Sequence, residues 1–87
     1  MDYAITMADL GRHIRETRKK LGKSQSWVAE RAGCRRQTIT DLENGKNTSL
    51  ATLFAVLRAM GKRVAVVDAR PALEELQMIY QDEGDEP

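Results

Sequence analysis

The sequence predicts a mainly α fold of four or five short helices, followed by one C-terminal β-strand. Three observations carry this reading. Apolar residues recur at helical spacing over successive stretches, and a glycine stands where each stretch ends. Aromatic residues make up only 5% of the chain, so its core must be aliphatic, which suits short packed helices. The period then falls to two over Val64-Ala65-Val66-Val67, a short β-branched run. At 87 residues the chain is long enough for one compact core and a tail.

Each element has its own signals. Thr6 with Asp9 three residues on forms a capping box, so the first helix should begin near Met7. Leu10, Ile14, Thr17 and Leu21 recur along it, and Gly22 ends it. Ser24 is a natural N-cap for a second helix, Gln25 to Ala32, stopped by Gly33. After the Cys34–Arg35 turn, a third helix runs from about Arg36 to Glu43 with Ile39 and Leu42 inward, and Asn44–Gly45 closes it. Lys46 to Thr48 reads as a polar loop. Ser49 caps a fourth helix carrying Leu50, Leu53, Phe54, Leu57 and Met60 as one stripe, ended by Gly61. Pro71 can open a further helix with Leu73, Leu76, Ile79 and Tyr80 near one side. The DEGDEP ending is too polar to pack and is expected to be disordered.

Charge is divided along the chain. Residues 1–61 hold 11 Lys/Arg against 6 Asp/Glu, while residues 62–87 hold 3 against 7, so a net +1 conceals a basic body and an acidic tail. The basic body suits a polyanionic partner. One cysteine, Cys34, excludes an internal disulfide and a metal site of paired thiols. His13 has no second ligand at metal spacing, and both residues read as structural. No cofactor or metal is expected. No apolar run approaches a membrane span, so the expected compartment is the cytoplasm, near the nucleoid. An enzyme is disfavoured, for want of clustered carboxylates, a nucleophile beside a base, or a Gly-rich phosphate loop.

The strand over Arg63, Val64, Ala65, Val66 and Val67 has no readable companion in this chain. A lone strand leaves its N–H and C=O groups without ladder partners. Pairing antiparallel with the same segment of a second copy would satisfy them, which predicts a homodimer. The alternative is an extended tail packed on its own domain. The organisation expected is therefore a basic helical domain over 1–61, a dimerising strand over 62–68, and an acidic helix or tail over 69–87.

Two short helices joined by a tight glycine turn form the unit that places its second helix in the major groove of DNA. Here that helix-turn-helix spans Gln25 to Gly45. Ala29 permits close approach of the two helices, Gly33 permits the turn, and Val28, Ala32, Cys34, Ile39 and Leu42 supply the apolar contacts. The stretch SQSWVAERAGCRRQTITDLENGK resembles the helix-turn-helix of the phage Cro/repressor (XRE) family, with its lambda-repressor-like domain. The span from Leu10 to Asp68, including LATLFAVLRAMGKRVAVVDA, is similar to HipB-type antitoxins, whose C-terminal strand completes a dimer. That resemblance implies a dimer that represses its own operon at a palindromic operator and binds a toxin with a kinase fold.

Carried over by matching position, Gln25 stands at a phosphate-contacting glutamine. Arg35, Arg36 and Gln37 stand at base-reading positions, with Thr40 and Asp41 one turn on. Thr38, Asn44, Lys46 and Asn47 fall where the family touches the DNA backbone. The chemistry agrees, because Arg reads guanine O6/N7 and Gln reads adenine. Arg18 and Glu43 match an ion pair that ties the first helix to the end of the third. Two departures stand out. Trp27 replaces a usual charged residue on the second helix, where it would cover apolar surface, lie along DNA or anchor a protein. Arg35 stands where a Ser or Thr cap is common. The readings in contention are an antitoxin-type autorepressor, a stand-alone prophage-type regulator, and a protein-only adaptor, the last disfavoured by Arg-Arg-Gln at the reading positions.

Overall fold

Side-chain caps and glycines set the boundaries of four helices in the computed structural model, which describes residues 3–68: α1 (Met7–Lys20), α2 (Gln25–Ala32), α3 (Arg36–Glu43) and α4 (Leu50–Ala59). The helix expected after Pro71 and the DEGDEP ending lie outside the described residues. Helix α1 starts on a complete capping box. Thr6 Oγ1 accepts from the Asp9 N–H at 3.1 Å, and Asp9 Oδ2 accepts from the Thr6 and Ile5 N–H groups at 3.2 Å each. Backbone donors of Ile5 and Thr6, together with Thr6 Oγ1 and Arg12, hold the Asp9 carboxyl below its ordinary pKa against a desolvation that pushes it up. Ser24 and Ser49 cap α2 and α4 through the N–H groups of Trp27 and Thr52.

The core gathers Ile14 from α1, Val28 and Ala29 from α2, Ile39 and Leu42 from α3, and Leu53, Val56, Leu57 and Met60 from α4 and its cap. Met7, Leu10, Trp27, Ala32, Cys34 and Ala59 pack against it from the rim. Helix α3 lies against both α1 and α2, and α2 also lies against α4, so the α2–α3 pair is clamped from two sides. Gly33 permits the turn between them. At φ 73° it sits in the left-handed region, and Cys34 N–H donates to the Ala29 carbonyl at 3.0 Å to close α2.

The structure differs from the sequence expectations at three places. Leu21 was placed on the inward stripe of α1, but it is the C-cap and lies 45% exposed, because the helix has ended by then. Leu50 and Phe54 were placed on the inward stripe of α4, yet they are 70% and 42% exposed, and Val56 is buried in their stead. The reason is angular. Phe54 lies about 100° round the helix from Leu53, at the edge of a stripe centred on Leu53, Val56, Leu57 and Met60, and Leu50 is the first residue of its helix. Finally, Val64–Val67 forms no strand, and none exists among the described residues. A strand is defined by its ladder, and the described residues offer that segment no partner. Residues 62–67 instead line an apolar groove with Leu10, His13, Ile14, Leu53 and Leu57, while Val66 stays 96% exposed.

Candidate nucleic-acid interface

Arg35, Arg36 and Gln37 are all exposed at the start of α3. Arg35 occupies the N-cap position with no side-chain cap bond; the Thr38 N–H donates to the Arg35 carbonyl at 3.0 Å, and no cap side chain covers the start of the helix, which stands beside a cation. That combination attracts anions. Asn44, Lys46 and Asn47 are exposed in and after the turn that closes α3, and Thr38 is half-buried within it. Gly45 at φ 78° makes that turn possible, and it brings the end of α3 against the backbone of Ala8 in α1.

Behind these exposed groups lies a hydrogen-bonded chain linking three helices. Arg18 of α1 grips Glu43 of α3 through two contacts, Nε to Oε2 at 2.7 Å and Nη2 to Oε1 at 3.0 Å. The two side chains are only 13% and 4% exposed. Arg18 also donates from Nη1 to the Lys23 carbonyl at 3.0 Å, which fixes the loop before α2. Desolvation alone would push the Glu43 carboxyl up. Its bonds from Arg18 and Gln25, with the charges of Arg18 and Arg15, outweigh that and hold it below the ordinary range. Hydrogen bonding to Glu43 raises the Arg18 pKa against the opposing effect of burial.

Gln25, the first residue of α2, extends this chain towards α3. Its Nε2 donates to Glu43 Oε1 at 3.2 Å, and its Oε1 accepts from Thr40 Oγ1 at 3.0 Å and from Arg36 Nε at 3.4 Å. The amide orientation is dictated chemically, since a carboxylate only accepts and a guanidinium only donates. One turn along the exposed side, Gln37 Nε2 donates to Asp41 Oδ1 at 2.8 Å, and Lys46 Nζ approaches the same oxygen at 3.7 Å. Thus Thr40 and Asp41 are committed to neighbouring side chains, while the Arg35 side chain makes no hydrogen bond or ion pair with the described residues. Arg18, Ser24, Gln25, Ser26 and Arg36 together line a polar recess at the start of α2.

Trp27 packs on the rim of the core, and Lys23 and Arg31 each lie 4.8 Å from its ring centroid. Two cations at helical spacing from an aromatic ring make it a cover for α2. Sequence reasoning left its role open; the Lys23 and Arg31 positions, four residues before and after it, were the signal that could have decided it. Burial pushes the Cys34 thiol up, which suits a small rim residue and not a nucleophile. Sequence reasoning also missed the bond between Gln25 and Glu43. Among the described residues no group of three or more His, Cys, Asp or Glu could hold a metal ion, and no helix is long and apolar enough to cross a membrane.

A short capped helix, a glycine turn and a second helix with a cationic, uncapped start define a helix-turn-helix protein. The chain belongs to the helix-turn-helix (HTH_3) family, whose model matches residues 14–67. It is 48% identical over 50 residues to an uncharacterized HTH-type transcriptional regulator of Methanothermobacter thermautotrophicus, across 56% of this chain and 72% of the relative. It is 33% identical over 67 residues to antitoxin HipB of Escherichia coli, across 76% of this chain and 71% of the relative. Its fold also matches a chain in the structure of a HipA-HipB-O2-O3 complex, with a TM-score of 0.74 and 25% identity over 80% of this chain and 100% of that one.

Proposed function

We propose that this protein is a sequence-specific DNA-binding repressor that acts as a homodimer on a palindromic operator. The observation that carries the proposal is the uncapped start of α3, where exposed Arg35, Arg36 and Gln37 stand on a pair of helices clamped by the core. In this reading Arg35, Arg36 and Gln37 contact base edges in the major groove, with Thr40 and Asp41 behind them. Gln25, Thr38, Asn44, Lys46 and Asn47 meet the sugar-phosphate backbone, where charge and N–H groups position the domain without reading sequence. Arg18 and Glu43 hold the unit in register.

The second copy supplies what Val64–Val67 lacks. Paired antiparallel with its equivalent, the segment would complete a two-stranded ribbon and set two recognition helices about 34 Å apart, one turn of DNA. The segment's exposed side chains and its place over the α1–α4 groove support this arrangement.

The similarity to HipB supports an antitoxin that represses its own operon and binds a kinase-fold toxin. A stand-alone regulator without a toxin is the second reading, favoured by the higher identity to the archaeal regulator. Affinity capture with the full chain, paired with selection from random duplexes, tests both. Enrichment of a palindrome supports the repressor, and failure to enrich any sequence refutes it. Stable co-purification of a kinase-fold protein encoded beside it supports the antitoxin, and its absence supports the stand-alone regulator.

A further inference from the structure

We infer that Asp41 is a specificity-determining positioning residue: it orients the Gln37 amide so that Gln37 reads adenine and rejects guanine. The inference rests on the proposal that α3 enters the major groove. The two residues are one helical turn apart, so their side chains share one edge of α3. Gln37 Nε2 lies 2.8 Å from Asp41 Oδ1. An ionised carboxylate has no proton to give, so the amide atom facing it must be nitrogen, and the alternative amide orientation is excluded. Oε1 is therefore the atom turned away from Asp41.

The consequence is a fixed pattern of donor and acceptor. One Gln37 N–H is taken by Asp41, leaving one N–H and the carbonyl oxygen for a base. That pair matches adenine, whose N7 accepts and whose N6 amino group donates. Guanine presents two acceptors, N7 and O6, so its O6 would face the Gln37 oxygen with no proton between them. Free of Asp41, the amide can turn over and offer both N–H groups to guanine. Lys46 Nζ, 3.7 Å from the same Oδ1, partly offsets the carboxylate's repulsion towards phosphates.

The same geometry gives Asp41 a different part from that of a base-reading acceptor. Its Oδ1 already receives the Gln37 amide and faces Lys46, so that oxygen serves the neighbouring side chains of α3 and its turn. Thr40 is engaged comparably, its hydroxyl donated to Gln25 Oε1 at 3.0 Å. The second turn of α3 orients the first.

Selection from a library of random duplexes with the full chain tests this, using wild type, Gln37→Ala, Asp41→Ala and Asp41→Asn. Gln37→Ala identifies the base position that Gln37 reads, as the one whose preference collapses. Wild type is expected to select adenine there. Asp41→Ala should reduce the adenine-over-guanine ratio at that position roughly tenfold, leaving the positions read by Arg35 and Arg36 as they were. Asp41→Asn, whose amide oxygen still accepts, should retain the preference although the charge is gone, and thermal unfolding of each variant confirms the fold. Unchanged adenine preference in Asp41→Ala overturns the inference, as does equal loss in Asp41→Asn or a base other than adenine in wild type. If wild type selects no sequence, the DNA-reading proposal itself falls and this inference with it.

Discussion

Glu43 joins more elements than any other side chain described. It receives both contacts from Arg18 and the Gln25 amide, so α1, α2 and α3 meet at one carboxylate. Its pKa is depressed in the folded state, so its stabilising contribution is complete above the ordinary Glu value of about 4.3 and is lost as pH falls through the lower folded value. Replacing one member of a buried pair leaves the other uncompensated, and Glu43→Gln should cost about 3 kcal/mol in denaturant unfolding at neutral pH. The gap between wild type and variant should narrow near pH 3; an equal gap at both pH values would contradict the role. Gly11 makes a separate point. It is buried in α1, and a Cβ there would run into the carbonyl oxygens of Leu42 and Glu43. Alanine is the better helix former by about 1 kcal/mol, yet Gly11→Ala should destabilise by about 1–3 kcal/mol, because overpacking against backbone outweighs propensity. A raised melting temperature would show that α1 has room to move. The Arg18–Glu43 pair was legible through the family resemblance, whereas the Gly11 contact was not, since it depends on which parts of distant helices meet.

At the scale of elements, local chemistry was highly legible. The Thr6–Asp9 box, the serines at 24 and 49 and the glycines after each helix are short-range signals, and the four helices follow them. Periodicity was less decisive at the edges of a stripe, which is why Phe54 and Leu50 were expected inside and lie outside. In the candidate site, the residues could be named from spacing and resemblance, but, apart from the Arg18–Glu43 pair, their bonds to one another could not. Helix α3 pays a local cost for its position: Arg35 sits at the N-cap without a cap bond. Arg35→Ser should therefore stabilise the domain by about 1 kcal/mol, read as a rise in melting temperature, while weakening specific DNA binding. Stabilisation with undiminished binding would remove Arg35 from the readers.

The proposed homodimer depends on a segment that has no strand partner among the described residues. The period-two pattern of Val64–Val67 was readable and predicts pairing with a second copy; the single chain holds no such ladder among its described residues. Val66 is 96% exposed, so Val66→Pro removes a ladder donor without disturbing the core of one chain. Sedimentation should show the variant as a monomer with a normal melting profile per chain; an unaltered dimer would refute pairing through this segment. The central claim remains that the start of α3 reads DNA, and Arg36→Ala tests it most directly. Arg36 is exposed, and among the described residues its side chain makes one hydrogen bond, the 3.4 Å contact from Nε to Gln25 Oε1, so its loss should spare the fold. In a fluorescence-anisotropy titration against the selected operator, the variant should bind more weakly by about 1–3 kcal/mol than wild type. Equal affinity for both proteins would contradict the account.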